Sequence, residues 1–430
     1  MTKNEKIKQS NIETRLKRKS QILKVFELKV NCHHTSKETF QKLADTFKQA
    51  KWIANDVIAC EDTFKYKYTE HRTVINFDKD RNRVERQITI NTVLHQSIVD
   101  MIKTDIVNLS KSKKKGNKIG KLKFKSEVNR IPIRTGTIHI KSSKIVGISG
   151  FPKLSVYGLE QFINIPDYEV ANANLVRRAS GYYIMITVFF PKNNTGKKIN
   201  NKGVGLDFGI KTAITTSDGD FFNCNKQETE YLKFLQKQLH KKQKGSKRYW
   251  RLRNQIRKEY KHISNQKKDV ANKIVAELLK ENDLIYFQDE QITGWRQAKV
   301  SGKNKKYEYS FGKQVQSSCL GRVKSKLELL EKQDKAFKIS KWMPTTKFCP
   351  NCGCLNTLTL ADRTFVCDCG YSCDRDVHAA RNVKLFGSIK RAECLEQASA
   401  EIPATTRETV NQLFLQAESV KRKQKNSNIN

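Results

Sequence analysis

The sequence predicts an α+β chain of several domains, in which a small β-barrel with a helical insert is followed by an α/β sheet that carries a metal-binding ribbon. Three observations predict it. Short alternating segments crowd residues 130–190. Apolar strand-like runs and amphipathic helical runs alternate after residue 203. Six of the eleven cysteines lie between Cys349 and Cys373. A chain of 430 residues exceeds one ordinary domain, and 37% hydrophobic residues suffice for packed cores.

The first half reads as follows. Residues 1–23 are polar and basic, expected as a mobile arm that orders on nucleic acid. KVFELKV (24–30) alternates like a strand. Thr35-Ser36-Lys37-Glu38 offers a capping box to a helix with Phe40, Leu43 and Phe47 on one face. Val93, Leu94, Ile98, Met101, Ile102 and Ile106 mark a second amphipathic helix, so a helical insert occupies 35–110. The run KSKKKGNKIGKLKFK (111–125) reads as a phosphate-contacting loop in so basic a chain. Strands then recur to about 190, and with KVFELKV they make a barrel from 24–34 and 111–195. PKNNTGKKINNK (191–202) is a polar linker.

In the second half, GVGLDFGI is a buried strand and AITTSDGDFF a hairpin around Asp218-Gly219. Residues 226–280 form an αα-hairpin broken near Gly245-Ser246. LIYFQDE is a strand, 313–335 a helix, and AFKIS another strand. That order suits an α/β sheet of the RNase H type over 203–342 and 371–385, with a ribbon at 343–370. The segment 386–430 is a polar tail expected to lack order, apart from QLFLQ.

Charge limits the function classes. Lysine and arginine outnumber acids 83 to 43, a formal charge of +40. A compact chain with that charge repels itself unless a polyanion binds it, and nucleic acid is the expected partner. No run of eighteen apolar residues occurs and the N-terminal segment lacks an apolar h-region, so the chain is expected to be soluble and cytoplasmic, with no membrane partner.

Three acids stand out. Asp207 interrupts an apolar strand between Leu206 and Phe208, where an acid is costly unless paired or ligating a metal; a turn-capping role is the alternative. Glu290 ends the strand LIYFQDE beside Asp289, and either could be the functional acid. Asp376 lies in CDRDVHAARNV with Asp374 nearby, at a helix start where acids are favoured anyway. Carboxylates meeting at one sheet repel each other, and hard Mg²⁺ or Mn²⁺ relieves that repulsion. Two such ions about 4 Å apart serve phosphodiester cleavage. The cysteines give a separate signal. Cys349-Pro350-Asn351-Cys352-Gly353 is a zinc knuckle, and Cys367-Asp368-Cys369-Gly370 is its partner. The second pair is one residue short, so Cys354 or Cys373 could replace a ligand. The spacing says structural Zn²⁺. Cys32-His33-His34 reads as a loop leading into a helix.

These elements in this order resemble the transposon TnpB nucleases and compact type V CRISPR effectors. GVGLDFGIKTAITTSDG looks like the first RuvC motif, LIYFQDEQITGW the second and DRDVHAARNV the third, with PTTKFCPNCG leading into a ribbon just before the third. LKFKS and VRRASGYYIMITV resemble the end of the family's wedge barrel. The likeness spans about 24–385. It departs at Gln288-Asp289-Glu290, at His378 where Asn is usual, and at the shortened Cys-x-Cys. The resemblance implies a wedge-type β-barrel with a helical recognition insert, then an RNase H-like (RuvC) nuclease domain with an inserted zinc ribbon. It gives Asp207, Glu290 and Asp376 the catalytic metal-binding role, and Cys349, Cys352, Cys367 and Cys369 the zinc. It further implies a guide RNA, and cleavage of matched double-stranded DNA beside a short flanking motif at one Mg²⁺ site. The alternatives are a nuclease-inactive RNA-guided repressor of the same fold and a DNA transposase.

Overall fold

The computed structural model describes residues 3–77, 82–120, 122–191, 202–225, 228–296, 299–301, 306–309, 311–359, 361–394, 408–416 and 419. It divides into two compact units, Met1–Asn193 and Asn194–Asn430. Most of the polar linker read at 191–202 lies outside the described residues.

The first unit comprises α1 (Lys3–Lys19), β1 (Gln21–Val30), α2 (Lys37–Ala59), β2 (Thr73–Phe77), β3 (Arg83–Gln87), α3 (Thr92–Lys114), β4 (Arg130–Ile133), β5 (Ile138–Ser142), β6 (Ile145–Ile148), β7 (Phe151–Tyr157), α4 (Glu160–Ile163), β8 (Glu169–Arg178) and β9 (Gly181–Pro191). Seven strands form one sheet in the order β4-β8-β9-β1-β7-β6-β5, with every pairing antiparallel. Leu43, Phe47, Ala50, Ile53 and Val57 of α2 and Leu94, Ile98 and Ile102 of α3 share a core with its strands. The insert is not purely helical, because β2 and β3 pair as a hairpin within it. The cap of α2 is Ser36, whose hydroxyl accepts from the Thr39 amide, one residue later than the expected capping box.

The basic N-terminal segment, expected as a mobile arm, is the helix α1. Its end is fixed by Arg18, which donates to both Glu169 carboxylate oxygens at 2.9 and 2.7 Å and lies 3.7 Å over the Phe189 ring. Arg18 and Lys17 hold the Glu169 carboxyl down to about 2. A charge run does not reveal such a partner 151 residues away.

The second unit comprises β10 (Gly203–Phe208), β11 (Ile214–Thr216), β12 (Phe221–Phe222), α5 (Glu230–His240), α6 (Lys247–Glu281), β13 (Leu284–Gln288), β14 (Lys299–Ser301), β15 (Lys306–Tyr309), α7 (Gly312–Ser317), α8 (Leu320–Glu331), β16 (Ala336–Ile339), β17 (Thr364–Val366), β18 (Ser372–Asp374) and α9 (Arg375–Cys394). Its main sheet has the order β12-β11-β10-β13-β16. Strands β10, β13 and β16 are parallel, and β11 and β12 are antiparallel additions. The predicted turn at Asp218-Gly219 is present, with Gly219 at φ +99°. The αα-hairpin also turns where expected: Gly245 has φ +92° and the Ser246 hydroxyl caps α6. The single helix expected at 313–335 is two, because Ser318 and Cys319 interrupt it.

Period-two alternation makes this unit three layers. Val204, Leu206 and Phe208 of β10 and Ile285 and Phe287 of β13 pack with Ala271, Ile274 and Leu278 of α6 and Val323 and Leu327 of α8. Leu284 and Tyr286 face the other side, with Val383, Phe386 and Ile389 of α9. Val410, Leu413 and Phe414 complete that second core. The helical residues 408–416 therefore correct the expectation of a polar, unordered tail.

Candidate nuclease site and zinc ribbon

The alternation that builds the layers also aims the acids. Asp207 has the parity of Gly203 and Gly205, so it faces α9 rather than α6 and α8. Glu290 lies just beyond β13 with the parity of Tyr286 and Gln288. Both sit at the carboxyl ends of adjacent parallel strands, where open α/β sheets place their ligands. Helix α9 closes on this face because β10 offers no side chain in its path: a Cβ on Gly205 would stand 2.1 Å from the Ala380 carbonyl oxygen. Gly387 on α9 does the same against the Tyr286 ring, where a Cβ would approach to 2.3 Å.

That approach brings the first turn of α9 to the sheet. Asp374 is the residue that caps it, accepting from the amides of Asp376 and Val377 at 3.0 and 3.1 Å. Asp376 is thus spared the capping role that sequence alone allowed it. Its charge, with that of Glu290, acts on Asp207. Dense surroundings first, then the nearby Asp376 and Glu290 carboxylates, push the Asp207 carboxyl up to about 8, although part of its side chain reaches solvent. The structure therefore places Asp376 and Glu290 each close enough for its charge to act on Asp207.

Asp289 and Glu290 differ in their surroundings. Lys324 of α8 donates to Asp289 Oδ1 at 2.7 Å and to the Glu290 carbonyl at 2.8 Å, tying the Asp289 carboxylate into an ion pair. Glu290 is raised, mainly by burial, and it is the acid that Asp207 senses. Gln288 supports the strand end. Its buried amide donates to the Ser340 and Met343 carbonyls at 3.1 and 3.0 Å and accepts from the Thr345 hydroxyl at 3.2 Å.

Asp207, raised by burial and by the charges of two further acids, offers the kind of oxygen donor that suits hard divalent cations. Among the described residues, the acids are not drawn to within 4.8 Å of one another as ligands of a single ion would be. A two-ion site distributes its ligands over a wider span.

The ribbon is the tightest ligand cluster. The Sγ atoms of Cys349, Cys352, Cys367 and Cys369 all lie within 4.8 Å of one another, with Cys349 to Cys369 at 3.6 Å and Cys352 to Cys367 at 3.5 Å. Four sulfurs held tetrahedrally at about 2.3 Å from zinc stand about 3.8 Å apart, so the donor set fits that ion with no open position. Cys354 and Cys373 are outside the cluster. The short Cys-x-Cys pair is accommodated by tight turns: Gly353 and Gly370 have φ +78° and +87°, and their amides donate to the Cys349 and Cys367 carbonyls at 2.9 Å each. Asn351 donates to Cys369 Sγ at 3.4 Å and, ahead of other donors, lowers that thiol to about 6.

His378, unusual at its place, is a packing residue. It is fully buried, stacks on Phe365 of the ribbon at 3.7 Å between centroids, and its Nε2 lies 3.1 Å from the Asn382 amide nitrogen. Asn382 also donates to the Thr345 and Phe348 carbonyls at 2.7 Å each, fastening α9 to the segment that enters the ribbon. Sequence reasoning missed Gly205, Gln288 and Asn382. The only signal for them was polar or small residues at apolar-face positions. Cys32-His33-His34 forms an exposed bend and takes part in no metal-ligand cluster among the described residues.

Comparison with known proteins bears on this arrangement. Residues 186–294 match the OrfB_IS605 family, described as "Probable transposase". Residues 322–383 match the family described as "Cas12f1-like, TNB domain". A curated protein of Streptomyces pristinaespiralis, named as an RNA-guided DNA endonuclease, is 28% identical over 190 residues, covering 43% of this chain and 45% of the relative. A protein of Paramecium bursaria Chlorella virus 1, named as a transposase, is 54% identical over 41 residues, 10% of each chain. This chain thus spans less than half the length of either relative. Among solved structures, a Cas12f1-sgRNA-target DNA complex aligns at a TM-score of 0.44 and 13% identity, over 85% of this chain and 99% of that one.

Proposed function

We propose that this TnpB/Cas12f-like chain is an RNA-guided DNA endonuclease whose single nuclease site is Asp207, Glu290 and Asp376. The observation that carries the reading is the coupling of these acids across β10, β13 and α9, with Asp207 raised to about 8 by burial and by the other two. In this reading the second unit's sheet is a RuvC-type nuclease fold, and the first unit's antiparallel sheet is the wedge-type barrel. A net charge of +40 supports a polyanionic partner, here a guide RNA and the DNA that pairs with it. No helix among the described residues is long and apolar enough to cross a membrane.

When bound, a pair of Mg²⁺ or Mn²⁺ ions would activate water and stabilise the leaving oxygen of the phosphodiester. The chain's own residues prepare for this. Asp207, Glu290 and Asp376 present oxygen ligands from three elements. Lys324 holds Asp289 aside, leaving Glu290 to face Asp207. The Asp374 cap and the Gly205 approach fix the height of Asp376 over the sheet. Cys349, Cys352, Cys367 and Cys369 would hold a structural zinc.

The test supplies guide RNA, matched duplex and Mg²⁺ to the purified chain. Wild type should cut and EDTA should stop it, while Asp207→Asn should bind the target and fail to cut. Equal cutting by wild type and Asp207→Asn would overturn the site. Target binding without cutting by the wild type would replace the reading with a guided repressor. Joining of transposon ends would replace it with a transposase.

A further inference from the structure

Cys224 and Cys319 belong neither to the ribbon nor to the carboxylate site, yet the fold sets them face to face. Cys224 follows β12, the edge strand of the main sheet, and Cys319 stands between α7 and α8. Asn225 and Ser318 form an antiparallel bridge, and beside it the Cys319 amide donates to the Cys224 carbonyl at 3.0 Å. The two cysteines are therefore direct opposites in an antiparallel pairing, with side chains on one face and Cα atoms about 5.5 Å apart. A disulfide spans Cα separations of about 4.4–6.8 Å. Each residue is 1% exposed, and among the described residues no third side chain joins them as a metal ligand.

Two thiols in a core are ordinarily inert apolar fillers. This pair differs in having a cation beside it. Lys267 of α6 donates to the Gln316 carbonyl, and its ammonium acts on both sulfurs. Lys267, Lys313 and Arg322, against the single acid Glu228, line a cleft of about 690 Å³ with Gln316 and Ser317. Residues on both sides of Cys319 in the chain thus form the wall of a cationic opening that a small molecule can enter. The hydrogen bond that Cys224 accepts from the Cys319 thiol, then backbone amides and the Lys267 charge, hold Cys224 below the ordinary thiol value against its burial. Donating that bond, together with burial, raises Cys319. One sulfur is set to attack and the other to supply a proton.

We propose that Cys224 and Cys319 form a reversible redox site, in which a hydroperoxide converts the dithiol to a disulfide that ties the sheet edge to the start of α8. The Cys224 thiolate attacks a peroxide oxygen and the O–O bond breaks, leaving a sulfenic acid. The hydroxide released takes the Cys319 proton and departs as water. The Cys319 thiolate then attacks the Cys224 sulfur, the S–O bond breaks and the S–S bond forms. This second hydroxide takes up the proton that Cys224 lost on ionising. The two thiols give up two electrons and the peroxide gains them. A small dithiol reverses the change, its own thiols ending as a disulfide. The pair lies outside the carboxylate site, so its chemistry does not depend on the nuclease reading.

The experiment treats the reduced full-length chain with hydrogen peroxide, alkylates the remaining thiols and digests without reductant. Mass spectrometry should find the Cys224 and Cys319 peptides joined and lighter by two hydrogens, and dithiothreitol should separate them. Because the bond closes a loop of about 95 residues, the oxidised chain should melt about 5 °C or more above the reduced one. Cys319→Ala should show no such difference. Lys267→Met should give the same joined peptides about threefold or more slowly, since the ammonium favours the thiolate. Alkylation of both thiols at every peroxide dose would overturn the site. So would overoxidation to sulfinic acid without a cross-link, or a disulfide from either residue to another cysteine. An unchanged rate in Lys267→Met would overturn the role of the lysine. The wild-type peptide map decides the pairing even where Cys319→Ala fails to fold.

Discussion

Gly205 and Ala380 approach so closely that a Cβ on the glycine would stand 2.1 Å from the alanine's carbonyl oxygen. No rotamer relieves that contact, since both groups are backbone-fixed. Gly205→Ala should therefore lift α9 from β10, costing about 1–3 kcal/mol as overpacking does. On the proposed reading it should also lower cutting more than target binding, because Asp376 would be displaced from Asp207. Thermal melts and paired binding and cleavage assays check this; unchanged cutting would separate the helix height from the chemistry.

Elemental analysis should find one zinc per chain. Cys352→Ser should lose it and destabilise the second unit, whereas Cys354→Ser and Cys373→Ser should keep it, since those sulfurs lie outside the cluster. Metal retained by Cys352→Ser would move the ligand set.

Glu290→Gln should abolish cutting, while Asp289→Asn should reduce it only modestly. The reason is the Lys324 ion pair at 2.7 Å, which engages Asp289 and leaves Glu290 to act on Asp207. Single-turnover rates of the two variants decide it. The reverse ranking would reassign the second acid.

His95 predicts a pH dependence of the first unit. It is fully buried, neither ring nitrogen has a hydrogen-bond partner among the described residues, and burial, then Arg72 and His71, lower it to about 4. A depressed histidine favours the neutral form in the fold, so the unfolded chain binds the extra proton first. Its stabilisation is complete above the ordinary value near 6.5 and is lost as pH falls from there towards 4, about 3 kcal/mol in all. Denaturant melts of His95→Leu should show a shallower acid loss than wild type over that window. Parallel curves would place the acid sensitivity elsewhere.

The residues of the candidate site stand out in the sequence because their signals are local. An acid inside GVGLDF and thiolates two residues apart are conspicuous against their neighbours, and the turns at Gly219 and Gly245 declare themselves in dipeptides. What was not legible depends on partners distant in sequence. Arg18 reads as one more charge in a basic arm until Glu169 is opposite it. Val410, Leu413 and Phe414 read as a short apolar interruption until Phe348 and Phe386 surround them. Gln288 looks like an ordinary polar strand end, and only the fold brings the Ser340 and Met343 carbonyls to it. Asp376 was weakest on sequence, since a helix start welcomes any acid, and the Asp374 cap removed that explanation.

The ribbon and the acids meet across one peptide bond. Arg375 takes its bonds from the ribbon, its amide donating to the Arg363 carbonyl at 2.9 Å and its guanidinium to the Thr359 and Asp362 carbonyls at 3.2 and 3.1 Å. Asp376, next in the chain, is one of the two acids whose charge acts on Asp207. Ordering one residue orders the other, so on the proposed reading occupancy of the two metal sites is thermodynamically linked. Zinc should tighten binding of the catalytic ions, and by reciprocity those ions should tighten zinc. A cell short of zinc would then hold a protein that still meets nucleic acid through its positive charge but has lost the third ligand of its cutting site.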